Sequence, residues 1–171
     1  MKLKLFFIVV LSLLYSQNIQ SGFAPLSPNL LFEAKKFSFY LDVKDKPFSE
    51  ELLKECMYYE EIEHSDIVLL QSKLETGNYK SIIFQDNNNL FGMKHPSVRE
   101  TTSIGILYGH AYYDHWTESV KDYKKFQEYY MLRGYDIGYN SDGYLSFLKW
   151  IGYATDNRYI HKLIDLNKEI A

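Results

Sequence analysis

The chain has 171 residues, with 19 Lys+Arg against 22 Asp+Glu and a formal net charge of -3, which fits a single domain and supplies no charge drive toward nucleic acid. Hydrophobic residues at 46% and charged residues at 24% are ordinary globular usage and exclude a disordered chain. The 16 Tyr, beside 11 Phe and 2 Trp, either reflect an AT-rich coding bias or suit a wide groove in which a phenol offers an apolar face and a polar tip to a sugar.

In chain order, Lys2 and Lys4 precede a ten-residue apolar run, Leu5 to Leu14. That run is too short to cross a bilayer and has the form of a signal-peptide core. Residues 1–16 are read as the signal peptide, with the cut after Ser16 or as late as Ala24. The expected location is therefore the periplasm or the extracellular space, with no stable membrane insertion after cleavage. No cysteine follows the apolar run at a lipid-attachment position, and the one cysteine, Cys56, has no partner for an internal disulfide.

Residues 17–57 are read as an N-terminal extension and a first helix. Pro25 and Pro28 mark an extended lead-in, and the alternation in residues 37–43 (FSFYLDV) predicts a short strand. From Ser49, read as an N-cap, Leu52, Leu53, Cys56 and Met57 recur at helical spacing. A second helix is capped by Ser65, carries Ile67, Leu70 and Leu74 on one face, and stops at Gly77. Residues 85–92 (QDNNNLFG) read as an Asn-rich loop, and residues 99–116 as a short hairpin with Gly105 and Gly109 at its turn and bulge. Thr117 is the expected cap of a helix through Val120, Tyr123 and Tyr130 that ends by Gly134. A short helix through Tyr144, Phe147 and Leu148 follows, and Asp156 caps the last one, through Tyr159, Leu163 and Leu166.

Glu75 is placed in the last turn of the second helix. There the negative end of the helix dipole and any burial both disfavour its charged form, which is what a general acid near neutral pH needs. The same position also suits an ordinary solvated glutamate. Gln71 lies one turn earlier on the same face, as an orienting or substrate-binding group.

The stretch from Asp66 to Ser81, with Leu74-Glu75-Thr76-Gly77 at its centre, resembles the catalytic helix of bacterial and phage glucosaminidases of glycoside hydrolase family 73. Further matches follow in the family's order. Asn88-Asn89-Leu90-Phe91-Gly92 is similar to its NNLFG loop. Tyr113 to Trp116 with Glu118-Ser119-Val120-Lys121-Asp122-Tyr123 is similar to its aromatic-then-ESxxDY helix start. Gly152-Tyr153-Ala154-Thr155-Asp156 with Tyr159 is similar to its GYATDxxY element. The resemblance covers roughly residues 58–168, and residues 58–171 are read as the catalytic domain.

The resemblance implies an α+β, mainly α, lysozyme-like fold: a helical lobe and a small β-hairpin lobe flanking a substrate groove. It implies an exported hydrolase of peptidoglycan glycan strands that cleaves after N-acetylglucosamine, with Glu75 as general acid. The second catalytic group is Glu100, Asp114 or the substrate's own 2-acetamido group. Tyr153 matches the family's groove tyrosine, with core packing as the other reading. Asn88 and Asn89 shape the turn or line the sugar site with Phe91 and Gly92, and Tyr113 and Trp116 stack on sugar rings or pack between lobes. A lytic transglycosylase on the same fold and a non-catalytic glycan-binding module are the alternatives. No metal site is expected, since HExxH and CxxC patterns are missing and His110 and His115 fall on opposite faces of a strand. No cofactor is expected, and a targeting partner is left open.

Overall fold

The computed structural model describes residues 27–170, so the signal-peptide reading lies outside the described residues. The described residues divide into two compact units, 27–49 and 50–170. In the first, α1 spans Pro28–Val43, where a short strand and an extended lead-in are expected from the sequence. The Ser27 hydroxyl accepts from the Leu30 amide, and Pro28 occupies a first-turn position where its missing N–H costs nothing.

The second unit begins at Glu50. It contains α2 (Glu50–Tyr59), α3 (Ser65–Thr76), α4 (Ile82–Asn87), β1 (Gly105–Leu107), β2 (His110–Tyr112), α5 (Trp116–Met131), α6 (Ser141–Trp150) and α7 (Tyr159–Ile170). It is α+β and mainly α, as the sequence implies. Helix α3 is its hub, packed against α2, α6 and α7, with Ile67, Val68 and Leu70 buried. Its N-cap is His64 in a left-handed conformation rather than Ser65, and its C-cap is Gly77, at φ +55°.

The sheet is a single antiparallel pair, Gly105 opposite Tyr112 and Leu107 opposite His110. Tyr108 and Gly109, both at positive φ, make the two-residue turn. Residues 99–104, expected as strand, are irregular, so strand parity says nothing about which of their side chains face a groove. His115 lies beyond the strand and caps α5, its Nδ1 accepting from the Thr117 amide; Thr117 is already inside the helix.

The loop expected over residues 85–92 starts as helix, with Asn88 as the left-handed C-cap of α4. The Asn side chains that follow tie this helix to the hairpin. Asn87 donates to the Leu107 and Ala111 carbonyls, Asn88 to those of Tyr113 and Asp114, and Asn89 to those of Met93 and Ala111. Hairpin carbonyls left unpaired by so short a ladder are satisfied in this way.

Candidate active site

The turn after Glu75 is held by its own sequence. The buried Thr76 hydroxyl donates to the Ser72 carbonyl at 2.5 Å and accepts from the Tyr79 amide at 2.8 Å. Gly77 takes the left-handed conformation that ends α3. The last turn therefore keeps a fixed direction, and Glu75 projects from it into a groove of about 710 Å³, a volume suited to a small ligand or a few sugars.

The groove is built from five segments of the second unit: the end of α3, residues 91–99, the C-terminal part of α5, residues 151–156, and the first turn of α7. Burial pushes the Glu75 carboxyl above its ordinary value, and a hydrogen bond from Tyr159 and the field of His110 offset this only in part. Gly92, at φ +62°, comes so close that a Cβ there would lie 2.6 Å from Glu75 Oε2. Gly92→Ala is therefore expected to displace the carboxylate and strain the backbone, lowering kcat about a hundredfold. Steady-state kinetics beside a melting curve separate that loss from unfolding.

Behind Glu75 runs a buried chain of hydrogen bonds. Gln71 Nε2 donates to the Tyr159 hydroxyl at 3.1 Å, and the Tyr123 hydroxyl donates to Gln71 Oε1 at 2.6 Å. Tyr144 is 2.7 Å from Tyr123, and Gln127 Nε2 donates to Tyr144 at 3.0 Å. Since Tyr123 spends its proton on Gln71, Tyr144 must donate to Tyr123, so every donor in the series points toward Tyr159 and Glu75. Gln71 is fully buried. It sits behind Tyr159 and is not among the groove-lining residues.

Phe91, Gly92 and Tyr153 line the groove with Glu75. The Tyr153 hydroxyl donates to the Phe91 carbonyl at 2.8 Å, which locks residues 152–156 to the loop beside Glu75. Burial and the neighbouring Tyr159 and Glu75 keep this phenol well above its usual pKa and therefore neutral.

Other expected site residues have structural positions. Asn89 is buried, with Oδ1 accepting from the Phe91 and Met93 amides and Nδ2 spent on the hairpin; Asn88 is spent on its cap and the hairpin exit. Tyr113 is fully buried and donates to Asp122 at 2.7 Å. Trp116 is 4% exposed at the start of α5. None of these four lines the groove; their contacts in the structure are those of packing and loop shaping.

Glu100 is not brought to Glu75 either. Its side chain is 88% exposed and paired with Lys125 at 2.8 Å, which holds its carboxyl below the ordinary value. Asp114 is exposed and also outside the groove. The second carboxylate among the groove-lining residues is Asp156. Lys162 at 2.6 Å, together with the Arg158 amide, holds it ionised.

Two groups escape a reading of the sequence. Tyr159 is the direct partner of Glu75, and its signal is the final position of GYATDxxY. Arg99 lines the groove and makes two bonds to Asp122, Nη1 to Oδ1 at 2.7 Å and Nη2 to Oδ2 at 3.1 Å. Its signal is Asp122 itself, an acid on the apolar face of α5 beside Ser119 and Tyr123, a position that demands a buried partner. The ESxxDY residues thereby become clamps: the Ser119 hydroxyl accepts from the Leu90 amide, Asp122 holds Arg99, and Tyr123 holds Gln71.

A family model described as mannosyl-glycoprotein endo-beta-N-acetylglucosaminidase matches residues 50–171. No curated protein and no solved structure matches the chain.

Proposed function

The chain belongs to the glucosaminidase family of glycoside hydrolases, and on that premise we propose that it is an exported enzyme hydrolysing peptidoglycan glycan strands after N-acetylglucosamine, with Glu75 as general acid. The observation that carries this reading is the half-buried Glu75, its carboxyl pushed above the ordinary value by burial, facing an open groove and pressed against Gly92.

Glu75 protonates the leaving glycosidic oxygen as the bond to C1 breaks. With Glu100 and Asp114 outside the groove and the groove carboxylate Asp156 tied to Lys162, the group that closes on C1 is the substrate's own 2-acetamido oxygen, giving an oxazolinium ion. Water then adds at C1, and its proton returns to the Glu75 carboxylate, which now acts as base. Tyr159 and Gln71 hold Glu75 on line through both steps.

Digestion of purified sacculi, followed by mass analysis of the fragments, tests the reading. New reducing ends bearing N-acetylglucosamine are expected. Anhydromuramyl ends would overturn it in favour of a transglycosylase, and binding without any cleavage would leave a glycan-binding module.

A further inference from the structure

The groove does not account for the aromatic surface next to it. Tyr130 lines the groove from α5 and meets Tyr135 edge-on, ring centroids 5.2 Å apart. Tyr135 in turn lies 4.8 Å from the ring of Trp150, at the end of α6. Trp150 is 70% exposed, although the next residue, Ile151, lines the groove. An indole left this open exposes a large apolar face to water, yet it is braced: Tyr130 packs against Phe126 at 5.1 Å and Phe147 at 5.4 Å, and both of those are core residues.

We propose that Trp150 and Tyr135 form an additional sugar-binding platform, which stacks on a pyranose of the glycan strand where it leaves the groove past Tyr130. This rests on the glucosaminidase reading of the groove. The occupant follows from continuity: the aromatic row starts inside the groove and runs outward without a break, along the path a long strand must take. A sugar offers an axial C–H face to the indole while its hydroxyls stay in water. The bracing keeps the rings in place before binding, so little ordering entropy is lost on contact.

The protein has 2 Trp; Trp116 is buried and supplies a background emission, so the ligand-induced change that is lost in Trp150→Ala reports Trp150. The full chain carrying Glu75→Gln, which keeps strands uncut, is titrated with long peptide-free N-acetylglucosamine–N-acetylmuramic acid strands, with the tetrasaccharide, and with free stem peptide. Long strands are expected to shift and quench the emission, while the tetrasaccharide and the peptide leave it unchanged. Trp150→Ala removes the signal and, with Glu75 intact, raises KM on long strands about five- to tenfold at unchanged kcat. Trp150→Phe restores most of that loss, which a merely structural residue would not show.

Unchanged emission with long strands, an unaltered KM in Trp150→Ala, or a response to the stem peptide would overturn the platform. The two readings separate cleanly. Intact cleavage with no emission change removes the platform alone, and a retained emission shift in a chain that never cleaves removes the glucosaminidase reading alone.

Discussion

Glu75→Gln is expected to lower kcat by about a hundred- to ten-thousandfold, the usual contribution of a positioned general acid, with KM nearly unchanged. The amide keeps the shape of the side chain and can still accept from Tyr159, but it has no proton to deliver to the leaving oxygen. The effect on stability has the opposite sense. Because burial raises the folded-state pKa above the ordinary 4.5, the protonated carboxyl favours the fold at low pH, and that contribution is lost as pH rises through the raised value. Gln does not ionise and keeps it. The variant and the wild type are expected to melt together below about pH 4.5, and above it the inactive variant is the equal or the better of the two. A variant that loses activity together with its melting transition would place Glu75 in the core and not in the chemistry.

Asp122→Ala is expected to be the most destabilising single change, costing about 3–5 kcal/mol and lowering Tm by about ten degrees or more. Asp122 is fully buried and accepts two bonds from Arg99 and one from Tyr113. Truncation leaves a guanidinium, 7% exposed at its side chain, without its counter-charge and strands the Tyr113 hydroxyl. Glu100, the neighbour of Arg99, supplies the contrast. Its bond to Lys125 is made at the surface, where ion pairs contribute at most about 1 kcal/mol. Glu100→Ala is therefore expected to leave both Tm and kcat close to wild type. Thermal denaturation and sacculus hydrolysis of the two variants side by side check both statements, and loss of activity in Glu100→Ala would restore that carboxylate as the second catalytic group.

Helices α2, α3, α5, α6 and α7 are legible in the sequence because their apolar positions recur at helical spacing over several turns and because glycines and Asx residues mark their ends. Helix α1 is not. Over residues 37–43 a short aromatic-rich run fits periods of two and of 3.6 alike, and the deciding signal is local, Ser27 followed by Pro28 at the start of the helix. The Asn-rich run has loop composition, but its side chains satisfy hairpin carbonyls 20 or more positions away, which spacing cannot reveal. Glu75, Gly92 and Tyr153, which line the groove, are legible through their motifs. The support behind Glu75 is not, since Gln71 meets Tyr159 across 88 positions and Tyr123 across 52. Glu100 misleads for a physical reason: an acid beside a hairpin is attractive on paper, but the irregular backbone at 99–104 sends Arg99 to the groove and Glu100 to solvent.

The most direct measurement is the titration of the Glu75 carboxyl itself, read as the isotope-edited carboxyl signal that disappears in Glu75→Gln, beside the alkaline limb of kcat on glycan strands. One titration is expected, displaced above the ordinary glutamate value and coinciding with the pH at which activity is lost. A Glu75 that titrates in the ordinary range, or an alkaline limb that does not follow it, would contradict its role as the proton donor.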